Sequence, residues 1–189
     1  MDVIKVVRRD AQEKANKLRK RGIVPCCVYG GDLKESISIQ MEEQDASRLF
    51  RTKREGSKVG LDIDGHVILT QIKEKKRYLS GEAEHVSFQA LSEDKKVNSI
   101  AHIFLKNTDL VPGNLSQLLF EVPFSSLPED MVDTVTIDIA GLPAGTILTV
   151  KDIPEFQNEK IDLQIKGDSV VVRISERRRA GLHEEQAQE

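Results

Sequence analysis

The chain has no tryptophan and only two tyrosines, and aromatic residues make up 4% of its 189 positions. That scarcity leaves few platforms on which single-stranded bases could stack. Cysteine is confined to the adjacent pair Cys26 and Cys27. Neighbours on a strand point to opposite faces, which disfavours a mutual disulfide and offers no metal-ligand spacing, so both read as small buried hydrophobes. No apolar run approaches the roughly 18 residues of a membrane span, and no membrane partner is expected. The opening VIKVV reads as a strand rather than a signal peptide, which makes the cytoplasm the expected location.

Catalytic motifs are missing too. The sequence contains no GxSxG elbow, no GxxxxGK phosphate loop and no GxGxxG. Its four histidines, His66, His85, His102 and His183, show neither HExxH nor paired metal spacing. Asp62 and Asp64 are the nearest thing to paired carboxylates, but Asp-x-Asp-Gly between two alternating runs is turn chemistry. With no convergent set of reactive groups, no enzyme activity and no cofactor or metal is expected.

What the chain does have is charge, unevenly placed. Residues 1–90 hold 18 Lys plus Arg against 14 Asp plus Glu, a net of +4, while residues 91–189 carry −7, so the overall −3 hides an asymmetry. A basic half joined to an acidic half points to a polyanion partner for the first half alone.

The basic half centres on residues 14–31. Ala11, Ala15 and Leu18 share one helical face, while Lys14, Lys17 and Arg21 line another. Gly22 is placed to end the helix, Pro25 forbids its return, and Cys26–Tyr29 form an apolar strand closed by Gly30 and Gly31. Residues 2–9 read as a first strand that delivers Arg8 and Arg9 just before the helix. Ser36–Ile39 alternate as a strand, and Glu43–Lys53 read as a second helix with Ala46, Leu49 and Phe50 inward. Lys58–Ile63 and His66–Ile72 flank Asp64-Gly65, a strong hairpin signal. Lys73–Tyr78 is read as a cationic loop, after which His85–Phe88 resume strand alternation.

The polar stretch around residues 90–97 is the expected domain boundary. Beyond it lie six expected strands, at 97–105, 115–122, 134–139, 147–150, 161–165 and 170–174, with one helical turn opening at Pro128. The fold class is therefore mostly β (α+β). A small barrel-like N-terminal domain with two or three helices (1–92) precedes a mainly antiparallel β domain (93–176) and a disordered charged tail (177–189). The tail's Arg177, Arg178 and Arg179 fit either nucleic-acid contact or solubility.

The basic groups suggest a binding surface. The helix face of Lys14, Lys17 and Arg21, the entry arginines Arg8 and Arg9, and Lys75, Lys76 and Arg77 would form one patch if the sheet brings them together. Phosphate contacts of this kind give affinity with little sequence preference, and a helix and loop on a sheet suit the wide minor groove of double-stranded RNA.

Ordered motifs across residues 5–175 give the chain a family resemblance. Leu18-Arg19, Gly22-Ile23-Val24-Pro25 and Val28-Tyr29-Gly30 resemble the "LRxxGxIPAVxYG" pattern of the bacterial large-subunit ribosomal proteins that bind 5S rRNA, and within them the two-domain Ctc branch, the general stress protein Ctc. Ile72-Lys73-Glu74, Arg77, Gly81-Glu82 and His85–Phe88 are similar to "IKDVQRHPVKGEPLHVDF". Leu127-Pro128, Asp130, Asp138–Leu142, Gly145, Ile147, Val150 and Asp152-Ile153 are similar to "LPxDIPxxIxVDVSGLxxGDxIxVxDL". The resemblance implies a barrel that grips 5S rRNA within the large ribosomal subunit. It also implies a β domain that leans on the ribosome or on ribosomal or stress-related proteins. It carries an RNA-contacting role to Arg19, Tyr29, Arg77 and His85, and the chain departs from the family pattern at Gln12, Glu13, Asn16 and Ser87. A structural 5S rRNA-binding protein is one reading; the other is a stress-related protein-binding factor with weakened RNA contacts.

Overall fold

The computed structural model describes residues 2–10 and 12–176, so the expected tail and Ala11 lie outside the described residues. The first half contains β1 (Val3–Arg8), α1 (Ala15–Arg19), β2 (Ile23–Tyr29), β3 (Ile37–Glu42), α2 (Glu43–Thr52), β4 (Lys58–Ile63), β5 (His66–Arg77) and β6 (Ala83–Ala90). The six strands close into a barrel in the order β1-β3-β2-β6-β5-β4. Closure comes from parallel pairing of β1 with β4, and a second parallel pair, β2 with β6, lies across the barrel from it, with antiparallel pairs between the two. The two-residue period of each strand fills the interior with Val24, Cys26 and Val28 of β2, Val59, Leu61 and Ile63 of β4, and Val86 and Phe88 of β6. Ala46 and Leu49 of α2 join this core, matching their expected inward face.

The Asp64-Gly65 turn has φ of 55° and 84°, the two positive values a type I′ hairpin needs. β5 departs from expectation. Lys73–Arg77 is not a loop: β5 runs on through Arg77, paired with β6 as far as Ala83, with register shifts after Ile72 and Lys76. Long Lys side chains can lie along a sheet with their charged ends in water, so charge alone did not mark a loop here.

The second half contains β7 (Val97–Lys106), β8 (Asn114–Gln117), β9 (Glu121–Ser126), β10 (Thr134–Asp138), β11 (Ile147–Thr149), β12 (Asp162–Leu163) and β13 (Val170–Ser175). They form a four-stranded sheet, β10-β7-β9-β12, and a three-stranded sheet, β11-β13-β8, around a core that includes Phe124, Val135, Phe156 and Ile174. The single strand expected at 115–122 is two strands belonging to different sheets. All pairs are antiparallel except β7 with β10. The helical turn at Pro128 is present as the short Pro128–Asp130 turn.

Short polar links tie the halves together. Lys58 Nζ donates to the Pro128 carbonyl at 2.8 Å, Gln71 Nε2 to the Asn98 carbonyl at 3.1 Å and Ser99 Oγ to the Gly56 carbonyl at 3.2 Å. His102 Nε2 lies 2.9 Å from the Glu55 carbonyl. Backbone approaches so closely at Gly56 that a Cβ there would sit 2.7 Å from the Ile100 carbonyl oxygen.

Candidate nucleic-acid interface

Helix α1 has five residues, too few to hold together alone. It is pinned instead by Leu18, which is fully buried, and by its packing against β2. Gly22 ends the turn with φ 73° and hands the chain directly to β2. Burying Leu18 sends Lys14 and Lys17 outward, and both are exposed.

Arg19 at the end of α1 crosses to the neighbouring strand. Its Nε donates to the Glu84 carbonyl of β6 at 3.0 Å, and its Nη1 donates to Asn16 Oδ1 at 2.9 Å. The guanidinium lies 5.9 Å from the centre of the Tyr78 ring, in the turn between β5 and β6. Asn16, which departs from the family pattern, thus acquires a positioning role toward Arg19. Beside Tyr78, Leu79 is wholly exposed.

The register of β5 on β6 places Lys76 directly opposite His85, the residue after Glu84. Lys76 Nζ pairs with Glu74 at 2.9 Å, and this bond holds the ammonium pKa above its ordinary value. Arg77 turns the other way: it lies 4.5 Å from the Phe50 ring of α2 and donates to the Gly81 carbonyl. Lys75 also stacks on Phe50, at 5.4 Å, and donates to the Lys53 carbonyl; burial lowers its pKa.

His85 is half-buried on the outer face of β6. Its Nδ1 lies 2.8 Å from the Pro25 carbonyl, and its Nε2 lies 3.0 Å from Ser87 Oγ and 3.8 Å from Cys27 Sγ. The hydrogen bond with Cys27, supported by the one to Pro25, raises the imidazole pKa above 6.5 against the opposing effect of burial. Tyr29 is exposed on the same outward face of β2, two residues beyond Cys27, with its phenol pushed up by partial burial.

The structure therefore gathers Arg19, Lys76 and His85, with Tyr78 beside them, and leaves Arg77 at the α2 edge. Lys14, Lys17, Arg21 and Arg9 form a second group, on α1 and to either side of it in the chain, and Glu13 sits in its middle. Its Oε1 accepts from Arg21 Nη1 at 2.7 Å and lies 3.8 Å from Lys17 Nζ, while its carbonyl accepts from Arg9 Nη2 at 2.7 Å. Arg9 Nε is buried without a partner among the described residues. Arg8 does not join either group: its Nε pairs with Asp64 at 2.7 Å, at the hairpin that opens β5, while Lys76 and Arg77 close the same long strand. The split falls at the end of β1: Arg8 is its last residue, whereas Arg9 lies beyond it and turns to the Glu13 carbonyl.

Two participants escaped the sequence reading. Tyr78 was visible as a lone aromatic beside cations. Cys27 departs from the buried-hydrophobe expectation: Cys26 points into the barrel, where burial pushes its thiol up to about 12, whereas Cys27 faces outward onto His85. The alternation of β2, with Val24, Cys26 and Val28 inward, is the signal that separates them.

Residues 4–88, the barrel, match the model of the ribosomal L25p family, and residues 102–178 match that of the ribosomal protein TL5 C-terminal domain. The chain is 30% identical over 175 residues to the large ribosomal subunit protein bL25 of Caldicellulosiruptor bescii, covering 89% of this chain and 87% of that one. It is 27% identical over 182 residues to bL25 of Nitrosomonas europaea, covering 90% of each, and 29% identical over 150 residues to bL25 of Enterococcus faecalis, covering 77% and 74%.

Proposed function

Because the chain belongs to the ribosomal L25p family, as a two-domain member of its Ctc type, we propose that it is a structural protein of the large ribosomal subunit that binds 5S rRNA through its barrel. The observation that carries this reading is the convergence of Arg19, Lys76 and His85 on one outer face of α1, β5 and β6, flanked by Tyr29 and Tyr78. Cations there meet phosphates, and the aromatic rims offer surfaces to ribose and base edges without demanding a sequence. Lys14, Lys17 and Arg21 extend the surface along α1, and Arg77 guards its α2 edge. Residues 1–92 serve as the RNA-binding unit in this reading. Residues 93–176, with their acidic balance, face ribosomal or stress-related proteins. The chain acts in the cytoplasm and catalyses nothing; no helix among the described residues is long and apolar enough to cross a membrane.

A second reading, a stress-related protein-binding factor with weakened RNA contacts, draws on one observation, the capture of Arg21 and Lys17 by Glu13. Single-site variants test the choice. Arg19→Ala and Lys76→Ala should each weaken 5S rRNA binding by about tenfold at low salt, with the melting temperature nearly unchanged. Arg8→Ala should leave binding unchanged, because Arg8 lies at the hairpin end of the barrel. Equal losses at all three positions would show a diffuse cationic effect and overturn the assigned face.

A further inference from the structure

RNA binding leaves unused a thiol in the middle of this face. Cys27 Sγ lies 3.8 Å from His85 Nε2 and 3.6 Å from Ser87 Oγ. The Pro25 carbonyl can only accept, so its 2.8 Å contact places the imidazole proton on Nδ1 and turns the Nε2 lone pair toward the thiol and the Ser87 hydroxyl. A nucleophile, a base within reach and a third group orienting the base is the arrangement that activates a thiol. Cys27 is half-buried, so it is neither sealed in the core like Cys26 nor freely solvated. The charged groups facing the pair are Glu74, opposite Ser87, and Lys76, opposite His85, and these are ion-paired to each other at 2.9 Å. Arg19, bound to the Glu84 carbonyl, stands one residue away along β6. The hydrogen bond between Cys27 and His85 lowers the thiol pKa from its ordinary value, with burial and Glu74 opposing.

Resting on the reading of this face as the RNA-binding surface, we propose that Cys27 is a redox modification site that exchanges with small disulfides and, once modified, blocks RNA docking. In the exchange, the Cys27 proton passes to His85 Nε2 and the thiolate attacks one sulfur of the small disulfide RSSR. The new S–S bond forms as the old one breaks, and the departing RS⁻ takes the proton from His85. The net change is Cys27-SH plus RSSR giving Cys27-SSR plus RSH, and an added thiol reverses it. Cys26 cannot displace the adduct, because it points into the barrel. The adduct would stand between Tyr29, next outward on β2, and His85 and Lys76 on the neighbouring strands, where it excludes a phosphate backbone from the cations.

The test uses the full chain and the chromogenic disulfide 5,5′-dithiobis(2-nitrobenzoic acid). Without denaturant at neutral pH, one thiol per chain should react. Cys27→Ser should abolish that release, and Cys26→Ser should leave it intact. His85→Gln should slow the reaction about tenfold at pH 7 and move the midpoint of its rate–pH profile upward; an unchanged profile, or reaction only in denaturant, would overturn the proposal. Binding to 5S rRNA should fall at least tenfold after modification and return with dithiothreitol, while treated and untreated Cys27→Ser bind alike. Undiminished binding by the modified chain would overturn the blocking role. If the unmodified chain does not bind 5S rRNA, the reading of the face falls and the blocking role falls with it, while the His85→Gln profile alone decides the reactive thiol.

Discussion

Glu13 shows how one side chain sets the strength of a charged surface. Three of the cations read from sequence as RNA contacts, Arg9, Lys17 and Arg21, converge on this residue. Exposed ion pairs of this kind add little to stability but hold guanidinium and ammonium groups away from an incoming phosphate. Glu13→Gln should therefore raise 5S rRNA affinity by on the order of tenfold at low salt and steepen the salt dependence by one to two units, at about 0.9 per phosphate contact. Filter binding across a salt series measures both. His85 gives a second expectation. Its pKa is raised in the folded state, so its stabilising contribution is complete below 6.5 and is lost as pH rises through the raised folded value. An NMR titration of the imidazole should show a midpoint above 6.5, and Cys27→Ser should lower it. RNA binding should weaken over the same pH range as the imidazolium charge disappears. Arg19 and His85 were legible through the family resemblance and Lys76 through the cationic run at 73–78. The separation of Arg8 from Arg9, and the role of Glu13 as a hub, were not, because both depend on where a side chain points after the strand ends.

At the scale of elements, the strongest sequence signals were those with mechanical necessity behind them. The second helix begins at Glu43 as expected, the Asp64-Gly65 turn has its two positive φ values, and Gly22 closes α1. The misreadings fell where period-2 alternation fails. The cationic end of β5 is interrupted by two register shifts, so its charges do not alternate cleanly and the segment passed for a loop. The break between β8 and β9 was invisible because apolar Leu118, Leu119 and Phe120 continue the run through the connection. Helix α1 offers the element-scale test. Leu18→Ala removes its fully buried anchor and should cost about 2–5 kcal/mol in urea unfolding. It should also weaken RNA binding more than Arg19→Ala, since it frees Lys14, Lys17 and Arg19 together. An RNA affinity unaffected by a destabilising Leu18→Ala would mean that α1 does not present the contacts.

At the scale of the whole molecule, a basic barrel is linked to an acidic pair of sheets through polar contacts at Lys58, Gln71, Ser99 and His102. The charge asymmetry between the halves was readable from counts alone; the links were not, since each joins a side chain to a carbonyl far away in sequence. In the proposed account the barrel meets RNA and the acidic half, which a phosphate backbone would repel, meets protein. The most direct measurement is binding of the purified chain to 5S rRNA and to an unrelated RNA hairpin of equal length, over a salt series. The account expects tight binding that prefers 5S rRNA, with a salt slope corresponding to several phosphate contacts. Weak binding of equal strength to both RNAs, lost together as salt rises, would contradict it and leave only a generic basic patch.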